Sequence, residues 1–440
     1  MFCLNELEKI MLIQFNFKNF KSFRDEATLD MSATKITEHE DHVVDIANDK
    51  LLKVAAIYGA NASGKSNIYE AFDYMTYYVS ESFKFGDENE GYRKSEKKYI
   101  EVTPFLFDNN SRNGETSFEV FYVDNLENTG KTYQYGFVLK GREVVEEWLY
   151  SKAKTARNKY RTIFYRKTGE ELEINGIPKR QMENIKASLN KESLIVSLGA
   201  KLRIEKMKKV RDWFLKNEVI SFGNPVENLV RSYGLPKGFV DEKKVQENMV
   251  NYFAAFDESI NDFEVEEIES EDEKEVDKSY TINTVHKKLG GDGIASIPLS
   301  QESSGTLKMF ALYPSIKEVL DNGGTLFVDE LNARLHPLLV RNIILTFLSK
   351  EINTMNAQLI FTTHDIWQFS NDLLRRDEIW MVNKNNDGIS ELYSLADFKD
   401  EDGNKVRRDE DLAKKYMLGN YGAIPALKPM KVLREGDISE

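Results

Sequence analysis

Between Leu51 and Phe72 an apolar run breaks into a short glycine-bounded loop and then into a helical pattern. Val54-Ala55-Ala56-Ile57-Tyr58 reads as a buried strand, Gly59 to Ser66 fits G-x-x-x-x-G-K-[ST], and Asn67 to Phe72 opens a helix. This strand–loop–helix order is the setting in which that pattern carries meaning; a glycine turn with an exposed lysine would not need these flanks. The two glycines let the backbone curl so that successive N–H groups point inward, and these groups with the helix N-terminus make a cradle for anions. The candidate contacts are Gly59, Asn61, Ala62, Ser63, Gly64, Lys65, Ser66 and Asn67. Lys65 is placed to reach β- and γ-phosphates, and the Ser66 hydroxyl to ligate Mg²⁺.

Such a loop needs an acid at the end of a neighbouring strand. Thr325-Leu326-Phe327-Val328-Asp329-Glu330 is a hydrophobic strand ending in two acids, which are costly to bury without a function. Asp329 fits the metal-holding role and Glu330 the general base that takes a proton from water. Gln358 to Asp365 is a second strand, ending at His364, which follows Glu330 by 34 residues and is read as a γ-phosphate or water contact. Just upstream, Glu302-Ser303-Ser304-Gly305-Thr306 starts a helix. A small polar helix start is an anion site or an ordinary N-cap; the order of the other elements favours the first.

Lys65 and Asp329 lie 264 residues apart, too far for a minimal P-loop domain. With 440 residues, two or three domains are expected. Residues 1–10 are read as an N-terminal extension, 11–178 as a first lobe, 179–260 as a helical insertion and 261–440 as a second lobe. The first lobe shows strand-like alternation at Leu12–Phe20, Phe23–Met31, Glu101–Phe107, Thr116–Val123, Thr132–Leu139 and Glu147–Ser151, which suggests an antiparallel sheet. The insertion carries a basic run, Lys201 to Arg211, read as a solvated face, and residues 226–260 look helical again. The acid-rich stretch Glu264 to Asp277 is read as an exposed hairpin tip. The second lobe alternates strands and helices, so a parallel sheet with its site at the strand C-termini is expected. No repeat or long heptad array appears, which excludes an extended coiled-coil arm.

A net charge of −13 argues against a uniform grip on DNA. The only cysteine is Cys3, which excludes an internal disulfide and suits a reducing cytoplasm. No apolar run approaches the roughly 18 residues of a membrane span, and the N-terminus lacks the basic region of a secretory signal.

The order of motifs resembles the ABC-type ATPase heads of the SMC, RecF and OLD group, over most of the chain, including NFKSFRDEATLDMSA after the opening strand. More narrowly, ESSGT, VDELNARLHPLL, LRRDEIWMVNK, LYSLADF and YMLGNYGAIPAL resemble the Rlo/abortive-infection ATPases of bacteria. The resemblance implies an α/β fold: an ABC-type P-loop head of a mixed sheet with flanking helices and an antiparallel β subdomain, plus the helical insertion. It maps Walker A to Gly59–Ser66, the signature to Ser303, Ser304, Gly305 and Thr306, Walker B to Asp329–Glu330, the D-loop to Asn332–His336 and the switch histidine to His364. It also implies ATP and Mg²⁺ as ligands, a homodimer or higher oligomer with ATP between Walker A and the signature of another copy, and a role in antiphage defence beside a separately encoded effector such as a Toprim-like nuclease. The chain ends about 75 residues beyond His364 without the Toprim acidic cluster, so an ATPase subunit alone is expected.

Three departures stand out. Glu302 replaces the leucine of the wider signature, Asn332 replaces the D-loop aspartate, and no glutamine lies between Ser66 and Gln134 for a Q-loop. Two rival readings are a RecF-like DNA-repair ATPase, which the acidic balance weighs against, and a regulator that binds ATP without hydrolysis, which the intact Glu330 argues against.

Overall fold

The computed structural model describes residues 10–85, 101–124, 130–156, 159–223, 235–268, 279–290 and 293–425. In chain order the first lobe contains β1 (Ile10–Lys18), β2 (Ala27–Asp30), β3 (Val43–Ile46), β4 (Asp49–Leu52), β5 (Val54–Gly59), α1 (Lys65–Glu81), β6 (Thr116–Asp124), β7 (Lys131–Lys140), β8 (Glu143–Lys152), β9 (Arg161–Lys167) and β10 (Glu173–Ile174). There follow α2 (Lys179–Ser188), α3 (Ile195–Lys201), α4 (Glu205–Leu215), β11 (Glu218–Ser221) and α5 (Lys243–Phe253). The rest comprises β12 (Ile260–Ile268), β13 (Ser279–Lys287), β14 (Ile294–Pro298), α6 (Ser304–Asn322), β15 (Thr325–Asp329), α7 (Pro337–Leu348), β16 (Gln358–Thr362), β17 (Ile379–Lys384), β18 (Ser390–Ser394) and α8 (Leu412–Met417).

The fold is mixed α/β. A six-stranded sheet runs β11-β15-β16-β5-β17-β18, parallel except for β18 at its edge. Its central strands are buried along their whole length, as continuous apolar runs require of a sheet covered on both faces. Alternate residues of β5 enter different cores. Ala55 and Ile57 pack with α1 and a seven-stranded antiparallel sheet, while Val54, Ala56 and Tyr58 pack with α5, α6 and α7. That second sheet runs β10-β9-β8-β7-β6-β1-β2. Gln358 joins the two sheets: its side chain accepts from Leu12 N at 2.6 Å and donates to the carbonyls of Leu12 and Leu52 at 3.0 Å.

Residues 179–215 contain α2, α3 and α4, which pack into the same core as α1 and the antiparallel sheet. Glu147, wholly buried on β8, accepts from the N–H groups of Ile195 and Val196 at 2.7 and 3.1 Å and so caps α3. The structure adds a strand to the segment read as helical: β11 pairs in parallel with β15 at the edge of the central sheet. Of residues 226–260, the helix is Lys243–Phe253, and residues 224–234 lie outside those described.

The expected strand Glu101–Phe107 is a correction, because the segment forms no strand. Lys21 N donates to Thr103 O, Phe105 N donates to the Asn19 side chain, and Pro104 has no N–H for a ladder, so the segment is pinned at points rather than paired along its length. The acid-rich stretch interrupts an antiparallel pair, β12 with β13, and its centre, residues 269–278, lies outside the described residues, as do 1–9 of the N-terminal extension.

Candidate active site

The strand order β15-β16-β5 brings three C-terminal ends together at one sheet edge. From them rise Asp329 and Glu330, His364, and the glycine loop. This is the edge at which parallel α/β sheets carry their ligands. There a cleft of about 400 Å³ is lined by Asn61 to Asn67 with Glu330 and His364.

The loop is shaped from below. A Cβ on Gly59 would lie 2.5 Å from the carbonyl oxygen of Val382, and Gly64 has φ +112°. Only glycine tolerates either position. At Gly64 a Cβ would also meet the hydroxyls of Ser390 and Ser22 at 2.6 and 2.7 Å. These two serines form a small strut. Ser390 Oγ contacts Ser22 Oγ and donates to Ser63 O, while Asn67 Nδ2 donates to Ser22 Oγ at 2.6 Å. Sequence reasoning missed both; Ser22 sits within the NFKSFR stretch, but Ser390 has no local signature.

Lys65 is buried, with its ammonium donating to the carbonyls of Gly59 and Ala60 at 2.9 and 3.0 Å. Burial pushes its pKa down to about 8, against the opposing pull of Asp329 and Glu330. Ser66 Oγ donates to Asp329 Oδ1 at 3.2 Å, so the hydroxyl and the carboxylate expected to share a metal are adjacent. Thr362 Oγ1 donates to the same Asp329 oxygen at 2.6 Å and accepts from Glu330 N at 2.8 Å. Ser221, on the unforeseen strand β11, reaches the other Asp329 oxygen at 3.4 Å. Glu330 is the first residue beyond β15 and holds φ +56°, a left-handed conformation uncommon outside glycine and concentrated at functional sites.

His364 lies two residues beyond β16. Burial, and then the like charge of Lys65, hold its imidazole below the ordinary histidine pKa. Asn332 fixes its backbone: the side-chain oxygen accepts from Thr363 Oγ1 at 2.9 Å and from His364 N at 3.4 Å.

Ser303, Ser304, Gly305 and Thr306 are not among the residues lining this cleft. Ser303 caps α6, its Oγ accepting from Thr306 N at 3.1 Å, and Gly305 lies against the carbonyl of Arg334. Glu302 turns away from the helix start to accept from His286 Nε2 at 2.9 Å and from the Thr284 hydroxyl. Thus the glutamate that replaces the leucine of the wider signature is faced by two polar groups of β13.

The family model described as "AAA domain, putative AbiEii toxin, Type IV TA system" matches residues 54–366. Among curated proteins no sequence matches. The chain is similar to solved structures, two of which are Smc heads. One is an Smc head bound to the C-winged helix domain of ScpA, 15% identical, with a TM-score of 0.40, covering 87% of this chain and 97% of that one. The other is an Smc head domain with an extended coiled coil bound to the C-terminal domain of ScpA derived from Pyrococcus furiosus, 15% identical, with a TM-score of 0.41, covering 88% and 96%.

Proposed function

Since the chain belongs to the AAA-domain family described for the AbiEii toxin and type IV TA systems, we propose that it is an Mg²⁺-dependent ATPase subunit of a bacterial antiphage, abortive-infection system. The observation that carries this reading is the meeting of the glycine loop, Glu330 and His364 at one cleft, with Asp329 hydrogen-bonded to Ser66. The residues suit the ligands. A cradle that a Cβ on Gly59 or Gly64 would obstruct leaves room for backbone N–H groups to approach phosphate. Ser66 and Asp329 offer the hard oxygen donors that Mg²⁺ takes.

Lys65 binds the β- and γ-phosphates, with Asn61 to Asn67 around them. Ser66 and Asp329 would hold Mg²⁺, which supplies neutralisation of phosphate charge when bound. Glu330 accepts the proton of the attacking water. His364, its imidazole held below the ordinary histidine pKa by burial and then by Lys65, orients that water or the γ-phosphate.

Ser303, Ser304, Gly305 and Thr306 serve the nucleotide of a second copy, so hydrolysis belongs to a homodimer or higher oligomer. Residues 180–260 carry the state of that dimer to a separately encoded effector, such as a Toprim-like nuclease. A cytoplasmic setting suits this role, and among the described residues no helix is long and apolar enough to cross a membrane.

Glu330→Gln tests the assignment. Turnover should fall by about 100-fold or more, the size of a general-base contribution, and ATP-bound oligomers should accumulate. Unchanged turnover would overturn the assignment. Purified from its native host, the same variant should retain a stoichiometric effector; recovery of DNA and recombination factors instead, with DNA-stimulated turnover, would favour a repair ATPase.

A further inference from the structure

A second concavity, of about 650 Å³, opens on the antiparallel sheet beside the first turn of α4. Its lining is basic. Lys131, Lys159, Arg161, Lys206 and Lys209 surround it, and Glu205 is the only acid among the lining residues. In a chain of net charge −13, five cations around one hollow are a local reversal of sign. Among the described residues, only Lys206 of the five has a side-chain hydrogen bond, and none has an ion pair. Lys206 is also placed by the fold: its ammonium donates to Asn175 O at 3.2 Å, over Gly176, where a Cβ would come within 2.5 Å of it. Five like charges gathered around a hollow with a single acid among them raise the local positive potential, and a bound anion relieves it.

The hollow also has a fixed aromatic wall. Tyr133 lines it and stacks on Tyr122 at 5.2 Å, and Tyr122 stacks on Trp213 at 4.3 Å, both pairs within 17° of parallel. Trp213 and Tyr122 are buried, so Tyr133 is the outer ring of a rigid column. Ser151, Thr155 and Thr162 add hydroxyls. Cations for phosphate, hydroxyls for sugar and an aromatic wall for a base are the combination that recognises a nucleotide.

We propose that this cleft is a second ligand site, separate from the glycine loop, which binds a phosphorylated ligand of nucleotide size, with its phosphates on Lys131, Arg161 and Lys209 and its base against Tyr133. A volume of about 650 Å³ lies within the range of small-ligand pockets, and the acidic balance of the whole chain opposes a long polyanion. The basic run of α4, otherwise an ordinary solvated face, thereby gains a role in Lys206 and Lys209.

The test counts bound equivalents on the full chain by calorimetric titration with inorganic tripolyphosphate and with each of the four ribonucleoside triphosphates. Tripolyphosphate and at least one of the four nucleotides should each give two equivalents per chain. Arg161→Ala combined with Lys209→Ala should weaken the second equivalent by about 100-fold, as expected for two lost charged hydrogen bonds, and leave the first. Lys65→Met should remove the first and leave the second, so failure at either site is read separately. Tyr133→Leu should weaken the nucleotide but not tripolyphosphate. A single equivalent with all five probes overturns the proposal, as does a second equivalent that survives the double substitution. Binding of a twelve-base single strand through these residues, with no second equivalent of any small probe, also overturns it and makes the surface a nucleic-acid contact.

Discussion

Lys308 donates from its buried ammonium to the backbone carbonyl of Glu330 at 3.1 Å. The same ammonium donates to Leu331 O at 2.7 Å and Ala333 O at 2.8 Å, and lies 4.0 Å from the ring centre of Phe222. Burial pushes its pKa down to about 7, whereas three carbonyl acceptors match the form that has three N–H groups. One side chain thus ties α6, the helix capped by Ser303, to the turn that carries the proposed general base.

Removing that tie should impair chemistry more than binding. Lys308→Met keeps an unbranched side chain, one atom shorter, but takes the ammonium from the carbonyls of Glu330, Leu331 and Ala333, so the Glu330 turn loses its tie to the helix. Displacing a reacting group by about 1 Å can cost 100-fold in rate. We expect ATP turnover to fall by about that much while the equilibrium affinity for nucleotide stays within about threefold, measured on the same preparation.

Affinity should depend on pH through Lys65. Its pKa of about 8 means that the free chain loses this cation as pH rises through 8. Phosphate binding needs the protonated form, so nucleotide affinity should be flat below pH 8 and then fall by up to about tenfold per pH unit. Lys65→Arg keeps its charge across this range and should flatten the slope, even with weaker binding overall. Turnover should have an acid limb below 6.5, the ordinary histidine value under which His364 is held, and that limb should shift in His364→Gln.

Gly64→Ala should abolish tight nucleotide binding for two separable reasons. The new Cβ meets Ser390 Oγ and Ser22 Oγ, and φ +112° strains any side chain. Adding Ser390→Ala and Ser22→Ala removes both hydroxyls, leaving the residue-390 Cβ at 3.2 Å and the backbone strain, so the triple variant should remain at least tenfold weaker than wild type in a nucleotide titration. Full recovery would show that the serine strut, and not the backbone, sets the requirement for glycine.

Much of this site is legible in the chain because parallel central strands must be apolar throughout, which makes polar residues at their ends conspicuous. Asp329, Glu330 and His364 stand at such ends, and Lys65 opens the helix after the glycine loop that follows β5. What escapes is support that comes from far along the sequence. Ser22 and Ser390 meet across 368 residues, and no local pattern around either one points to the other. β11 is four residues long and takes its partner from β15, so no window around Glu218 reveals it. The segment 101–107 fails in the opposite direction: it has strand-like residues, but Pro104 and the side chain of Asn19 remove the ladder that would make it one.

Glu302 gives a stability prediction. Its carboxylate serves both Thr284 and His286, so Glu302→Leu takes the shared acceptor from both at a partly buried place and leaves them only each other and, for Thr284, the Ile297 carbonyl at 3.4 Å. The cost should be about 1–3 kcal/mol in denaturant unfolding, the size of a charged hydrogen bond lost. Glu302→Gln keeps an acceptor oxygen and should lose about half of that or less. Equal losses would mean that charge, not hydrogen bonding, holds the contact.

Asn332 decides whether the departure from aspartate in the D-loop alters coupling between copies. In this chain the side chain works through its oxygen alone, accepting from Thr363 Oγ1 and His364 N. Aspartate offers the same acceptor, and the two hydrogens lost from the amide have no partner within hydrogen-bond reach among the described residues. Asn332→Asp should therefore leave turnover within about threefold, whereas Asn332→Leu unpins His364 and should lower it by about tenfold or more, the scale of one lost hydrogen bond of about 1–1.5 kcal/mol. Both variants should be assayed over a range of protein concentration. If Asn332→Asp changes the concentration at which turnover saturates and not the plateau, the amide acts between copies; if only the plateau moves, it acts on His364 within its own chain.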